Sequence, residues 1–501
     1  MACRIALLAA LLAAVSCTAP RHTEPRVREI YRLAARREAR NPVIVIHGIL
    51  GSRLQQRSTG KVVWGAFTNE AIDPETPEGA RALALPLLPP ADASAYDSDS
   101  ADVFATRPLN AIRVGLLFGV VNVQIYANIL RSLGVGGYAD PVLLDPASPE
   151  YPSYHFTCYT YFYDWRLDNV TNAILFGRWL RDLRGEVRRR ARGRIEELRR
   201  SGDRGAVEEA AELESWLQRD LRFDVVAHSM GGLIANYYLR YGAVDLPADG
   251  SLPPVTWAGA EDIARLIEVG TPNLGAMDSL RNLTRGFKPG FLLPYYHPAV
   301  LGTMPSIYQL LPRMGQGLVL GEDGEPSDVD LFDVGAWDRN GWGLLDPAAD
   351  GYLRWLLPDL PDREARRRRA RAYMEWCLSR ARAFHAALDQ DPPATPCPTE
   401  LRLFASDTIP TLARTRLYRR DDGTLWPLFD GPDWSEPGDG TVARYSAVGD
   451  RRPGRESGAL DSAIPWDSVT FLPDDHIGLT QNPVFTDNLL FYLLEQQPRR
   501  R

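Results

Sequence analysis

Short blocks of apolar and β-branched residues, each bounded by turn-forming or polar positions, recur along the chain. They are "PVIVI" at Pro42–Ile46, "FTCYTYF" from Phe156, "FDVVA" from Phe223, "ARLIEV" from Ala264, "LRLFA" from Leu401 and "SVTFL" from Ser468. Blocks of this kind lack the in–out alternation of a half-exposed strand, and they predict parallel strands buried on both faces. Between them the apolar spacing becomes helical. "IYANILRSL" (Ile125–Leu133) is one such stretch. The long charged segment Gly177–Arg200 is another, with Leu183, Val187, Ile195 and Leu198 along one face. Strands alternating with helices predict an α/β fold with a doubly wound, mostly parallel sheet and helices on both faces.

Two regions interrupt this rhythm. Residues 52–110 are rich in Pro, Ala and Asp, with Trp64 and Phe67 near their start. Residues 275–400 join an apolar, aromatic stretch, "GFLLPYYHPAVLGTMPSIYQLLP", to a basic helical pattern from Asp362 to Leu388. A structureless loop of either length is unusual inside a compact domain, so both are expected to be structured insertions, the second a cap or lid. Phe291, Leu292, Leu293, Tyr295 and Tyr296 are expected either to line an acyl site or meet a membrane, or to form the core of the cap. The expected organisation is therefore a leader at 1–17, a linker at 18–40, a first core part at 41–274, the cap at 275–400 and a second core part at 401–497.

Composition adds little to the fold and more to the setting. The chain has 501 residues, 45% hydrophobic and 24% charged, enough for one large core with insertions. A net charge of −7 gives no reason to expect a nucleic-acid partner. The arginine runs Arg188–Arg190 and Arg366–Arg369 are expected to be solvated helix faces, with anionic lipid head groups as the alternative. The first residues, "MACRIALLAALLAAVSC", place one arginine before an apolar run from Ile5 to Val15 that is too short to span a bilayer comfortably. The pattern predicts a secretory signal, and "AAVSC" resembles a bacterial lipobox with Cys17 as the acylated residue. Export to the periplasm or outer surface, with an anchor at Cys17, is the expectation. Disulfides are permitted there, so Cys377 and Cys397 are candidates to pair.

The chemistry centres on "FDVVAHSMGGL" (Phe223–Leu233). An apolar strand breaks into small residues around Ser229, and a helix pattern follows. This is the signature of a nucleophile elbow, a tight turn that lifts a serine hydroxyl above the sheet edge. The turn requires small residues two before and two after the serine, here Ala227 and Gly231. A serine needs a base, and the base needs an acid to orient it. In this fold the chain order is Ser, acid, His. Of seven histidines, His22 lies in the linker, His47 and His228 in the glycine loop and the elbow, and His155 ahead of the serine. His297 and His385 lie in the cap. His476, in "LPDDHIGLT", is left as the base. Asp439, in "EPGDGTVARYSA", and Asp407, which ends "LRLFASD", are the candidate acids. Asp474 and Asp475 are expected to shape the loop of His476. The oxyanion of a tetrahedral intermediate needs backbone N–H donors. Met230, after the nucleophile, is one, and Leu50 or Ile49 of "HGILGS" the other. No metal-binding motif, P-loop or dinucleotide fingerprint is present, and no cofactor is expected.

These pieces together resemble the lecithin:cholesterol acyltransferase family, which also contains phospholipid:diacylglycerol acyltransferases and a lysosomal phospholipase. "NPVIVIHGILGSRL", "VVWGAF", "YFYDWRLD", "VVAHSMGGL", "VGTPNLGA", "MPSIYQLLP", "PGDGTVARYSA" and "DDHIGL" occur in the family's order over most of residues 41–490. The resemblance implies an α/β-hydrolase fold, Ser229 as nucleophile, Asp439 as acid, His476 as base, and Leu50 and Met230 as oxyanion donors. It implies glycerophospholipid and lipid-alcohol substrates met at a membrane surface, a lipid-contacting segment around Trp64 and a mobile lid from about residue 275. Asp164 and Arg166 of "YDWR" are expected to form a structural ion pair, with Trp165 in the core. "HG" replaces a proline–glycine of the animal acyltransferase, whose cysteine pairs have no visible counterpart here. The expected reaction is acyl transfer to an alcohol. The alternatives are hydrolysis by a phospholipase or lipase, and a non-catalytic surface lipoprotein that uses the fold to bind.

Overall fold

The computed structural model describes residues 31, 39–66, 72–89, 101–109, 111–116, 119–124, 127–143, 155–289, 293–313, 315, 317–431, 434–452 and 460–496. The leader with Cys17, nearly all of the linker, and Phe67, Phe291 and Leu292 lie outside these residues.

Each of the six apolar blocks is a strand of one sheet. The strands are β1 (Val43–Ile46), β5 (Cys158–Tyr161), β6 (Phe223–His228), β7 (Ile263–Val269), β8 (Glu400–Ala405) and β9 (Ser468–Phe471). Their order is β9-β8-β7-β6-β1-β5, and every neighbouring pair is parallel. The numbers β2 (Ser52–Gln56), β3 (Val62–Trp64) and β4 (Val103–Pro108) belong to a separate antiparallel sheet formed by the 52–110 insertion. From β1 the chain moves outward to β5, then returns to the other side of β1 to lay down β6 through β9. The winding therefore reverses between β1 and β6. Ligands of open α/β sheets lie at the carboxyl ends of the strands at such a reversal. Ser229 follows β6 and the "HGILGS" loop follows β1, so both elements meet there.

Five of the strands are buried as predicted, whereas the edge strand β9 is half-buried along its length, and several of the buried ones carry charge. Arg265 is fully buried; it pairs with Asp224 at 3.3 Å and Glu400 at 3.1 Å, joining β6, β7 and β8 near their amino ends. Arg402 also reaches Glu400 at 3.3 Å, so two arginines face two carboxylates in a place where an isolated charge would be prohibitive. This is how the apolar blocks tolerate the charges within them.

Helix α1 (Asn169–Ser201) contains the predicted Gly177–Arg200 stretch, and Leu183, Val187, Ile195 and Leu198 are its buried face. Asp168 caps its start by accepting from Val170 and Thr171, and Gly202 ends it at φ 69°. Left-handed backbone after a last helical turn suits glycine. Arg189 and Arg190 of the first arginine run pair with Glu186 on the same helix. The elbow serine is followed by α2 (Met230–Tyr241), buried along its whole length.

The 275–400 segment does not stand apart from the sheet. Its long helix α3 (Arg363–Asp389), capped by Asp362, is joined to α2 by hydrogen bonds from Tyr241 Oη to the Ala387 carbonyl and from Arg240 to the Gln390 carbonyl. Met304, Tyr308, Trp337, Trp342 and Cys377 are fully buried in the same core as the sheet strands. Arg366 departs from the solvated face expected of it. It is 2% exposed, forks onto Asp350 and donates to the carbonyls of Leu360 and Pro361. Tyr296 is likewise core, whereas Leu293 and Tyr295 are half-buried. Cys377 and Cys397 are both buried and are not joined by a disulfide.

Candidate active site

The turn at Ser229 is tight for steric reasons that can be read atom by atom. Ser229 has φ 55°, a region that L-residues rarely adopt, and the geometry costs on the order of 1–3 kcal/mol. It is held by hydrogen bonds from Ser229 N–H to the Val269 carbonyl (2.9 Å) and from Gly232 N–H to the Ser229 carbonyl (3.0 Å). A Cβ on Gly231 would lie 2.5 Å from the His47 carbonyl oxygen, which is why the position after the elbow must be glycine.

Three residues far apart in sequence converge at this turn. His476 Nε2 is 2.9 Å from Ser229 Oγ, and His476 Nδ1 is 2.7 Å from Asp439 Oδ2. The other carboxylate oxygen, Asp439 Oδ1, accepts from the N–H groups of Thr441 (2.9 Å) and Val442 (2.6 Å). Asp439 accepts only, so the His476 proton sits on Nδ1 and Nε2 is free to take the serine proton. Burial opposes charge on both partners, but their mutual attraction and hydrogen bond outweigh it. His476 is accordingly raised above its ordinary value, and Asp439 is held below the usual carboxylate range. Asp475 and Asp278 also raise His476. Asp407 is exposed, and Asp439 is the carboxylate that meets the histidine. Asp475 accepts from Ile477 and Gly478 N–H, shaping the loop as expected.

His228 was assigned only to the elbow by its position, and the structure gives it a further contact. Its Nε2 lies 2.9 Å from the His476 carbonyl and its ring 4.8 Å from the His476 ring. Burial pushes it down to about 3, so it is neutral and donates that proton to the carbonyl. Histidine before the nucleophile thus ties the elbow to the loop that carries the base.

The glycine loop is pinned by a network that the resemblance did not imply. His47 is fully buried and pushed down to about 4 by burial. Its Nδ1 donates to the Gly48 carbonyl at 2.8 Å, and its Nε2 accepts from the Ser52 hydroxyl. Its ring stacks on Tyr163 at 4.4 Å, while Tyr163 Oη donates to the His47 carbonyl at 2.8 Å. Trp165, in the core, donates to the Ser52 carbonyl. Arg166 pairs with Asp164 at 2.6 Å and donates to the Leu83 carbonyl. The "YDWR" turn therefore braces the loop from behind. Among the described residues, the N–H groups of Ile49, Leu50 and Met230 have no protein acceptor.

Gly48 lies directly over the nucleophile: a Cβ there would sit 2.6 Å from Ser229 Cβ and 3.1 Å from its Oγ. Gly48→Ala is expected to keep its circular dichroism spectrum and to lose on the order of a hundredfold in turnover of a soluble p-nitrophenyl ester, because a small misplacement of reacting groups has that cost. Undiminished turnover would mean that the loop does not approach the serine.

Trp64 corrects an expectation. It is 2% exposed and cannot offer its ring to a lipid surface in this structure. Its indole instead donates to the Leu50 carbonyl at 2.8 Å.

With this geometry in hand, comparison with known proteins adds a partial family match. The family model described as lecithin:cholesterol acyltransferase matches residues 210–329, a span that holds the elbow and Ser229 but neither Asp439 nor His476. No curated protein matches the sequence. Among solved structures, "The crystal structure of Tle4-Tli4 complex" is 13% identical with a TM-score of 0.48, over 91% of this chain and 98% of that one. EstA from Clostridium botulinum is 11% identical with a TM-score of 0.28, over 92% and 88%. Both scores are too low to bear on function. The α/β-hydrolase fold rests on the sheet order and the elbow themselves.

Proposed function

We propose, from the premise that the match over residues 210–329 supports membership of the lecithin:cholesterol acyltransferase-like family, that this protein is a serine enzyme acting on lipid esters. Ser229 attacks the ester carbonyl of a glycerophospholipid while His476 takes its proton. The oxyanion forms among the N–H groups of Met230 and the 48–51 loop. His476 then returns the proton to the departing lyso-lipid oxygen and leaves an acyl-serine. A lipid alcohol, deprotonated in turn by His476, takes the acyl chain and frees the serine.

The observation that carries this reading is the continuous relay from Ser229 Oγ through His476 to Asp439, at 2.9 and 2.7 Å, on an elbow with unpartnered N–H groups beside it. A binding module has no need of all three groups in contact. Water in place of the alcohol would make the same machinery a phospholipase. The test is to incubate purified protein with acyl-labelled phospholipid, with and without a sterol or diacylglycerol, and to separate the products. New labelled ester supports transfer. Free fatty acid alone replaces the transferase with the hydrolase, and no turnover at all removes the enzymatic reading.

A further inference from the structure

The 48–51 loop holds a conformation that its sequence does not favour. Gly51 N–H bonds to the Gly48 carbonyl at 3.2 Å, closing a turn with Ile49 and Leu50 at its centre. Leu50 has φ 65°. In turns of this kind the third residue needs positive φ and is ordinarily glycine. A leucine stays there only when its surroundings hold it.

The peptide joining Leu50 to Gly51 is fastened at both ends. Its N–H is the donor of the turn bond, and its C=O accepts from Trp64 Nε1 at 2.8 Å. With that peptide fixed, the turn is seated at a set place beside Ser229, and the Leu50 N–H on the preceding peptide is carried with it. The indole is itself gripped: Trp165 meets it edge-on at 5.6 Å, and Tyr296 at 5.5 Å. A buried tryptophan with its one donor spent on a strained turn has more than a packing role.

We propose that Trp64 is a positioning residue of the oxyanion site: by holding the Leu50 carbonyl, its indole N–H keeps the 48–51 turn seated where the N–H groups of Ile49 and Leu50 can meet the developing oxyanion. The proposal rests on the acyl-serine reading and extends it. It also gives a reason for tryptophan, rather than another large apolar residue, in "VVWGAF".

Trp64→Phe removes the donor and keeps most of the ring. Should that variant not fold, benzothienylalanine at position 64 keeps the bicyclic shape and lacks only the N–H. Loss of a whole oxyanion donor costs about 10²–10³ in kcat. Loosening its anchor should therefore lower kcat on p-nitrophenyl butyrate by about fivefold or more, with KM within twofold and the pH profile unmoved. Affinity for a trifluoromethyl ketone, which forms a tetrahedral adduct on the serine, should fall in step. A purely structural role would lower the melting temperature and leave kcat and ketone affinity alone. A folded variant whose kcat falls less than fivefold, or whose ketone affinity does not follow, overturns the proposal. Failure here is separable from failure of the acyl-serine reading: if the parent protein itself is not labelled at Ser229 by a fluorophosphonate, the enzymatic reading falls; if the parent is labelled and the variant turns over normally, only the role of Trp64 falls.

Discussion

Ser229→Ala is expected to lower turnover by about 10⁶, the size of loss seen when the nucleophile of another serine hydrolase is removed. The substitution takes away one oxygen, the hydroxyl that lies 2.9 Å from His476 Nε2. Alanine tolerates the elbow less comfortably than glycine but no worse than serine, so folding should be unaffected by comparison with the parent. The residual rate would report the N–H groups of Met230 and the 48–51 loop acting on bound ester and water. The measurement is turnover of a p-nitrophenyl ester together with fluorophosphonate labelling. Labelling must disappear with the activity. An alanine variant that keeps activity would place the chemistry on some other residue.

The second large effect is expected at Asp439. Asp439→Asn should cost about 10⁴ in kcat, the effect of the same change in a well-studied serine protease triad. An amide in place of the carboxylate no longer selects the Nδ1–H tautomer, nor does it stabilise the imidazolium that forms as Ser229 loses its proton. The change also has a pH signature. The base works in its neutral form, so kcat/KM rises with pH through the pKa of His476. Attraction to Asp439 holds that pKa above the ordinary value near 6.5 in spite of burial. With the carboxylate gone, burial is left as the main influence, and burial lowers a histidine. The acid limb of the residual activity should therefore move to lower pH. Asp407→Asn, at an exposed site, is the control and should leave both rate and limb unchanged. If the two aspartates exchanged behaviour, the acid would be Asp407.

Much of this was legible before any coordinates. Both-face burial makes a strand read as an unbroken apolar block, and all six blocks are strands of the one parallel sheet, five of them buried and the edge strand half-buried. The elbow is legible for a steric reason: the Cβ that Gly231 lacks would collide with backbone oxygens of β1 and the loop after it. His476 is legible because histidines are few and the chain order of the fold removes the others. Asp439 needed the resemblance to prefer it over Asp407, since both follow strands and both are flanked by turn-forming residues.

Other features were hidden because they depend on what a side chain meets across hundreds of residues. The resemblance implies a lipid-contacting segment around Trp64, and exposed and buried tryptophans are identical as letters; packing against Trp165 and Tyr296 makes Trp64 interior. An arginine run looks solvated until Asp350 and two carbonyls are found around Arg366. Cys377 and Cys397 are near enough in sequence to suggest a bridge, yet both are buried thiols.

The sequence by itself determined the sheet and the elbow, and singled out Ser229 and His476 as the candidate nucleophile and base. Those follow from local sterics, from the apolar period and from an order that the chain cannot change. Tertiary structure decided which carboxylate meets His476, the bracing of the glycine loop by His47, Tyr163 and Trp64, and the burial of the 275–400 segment. Each of these is a hydrogen bond or a contact between residues brought together only by folding, and no spacing along a chain records which distant donor a carbonyl will find.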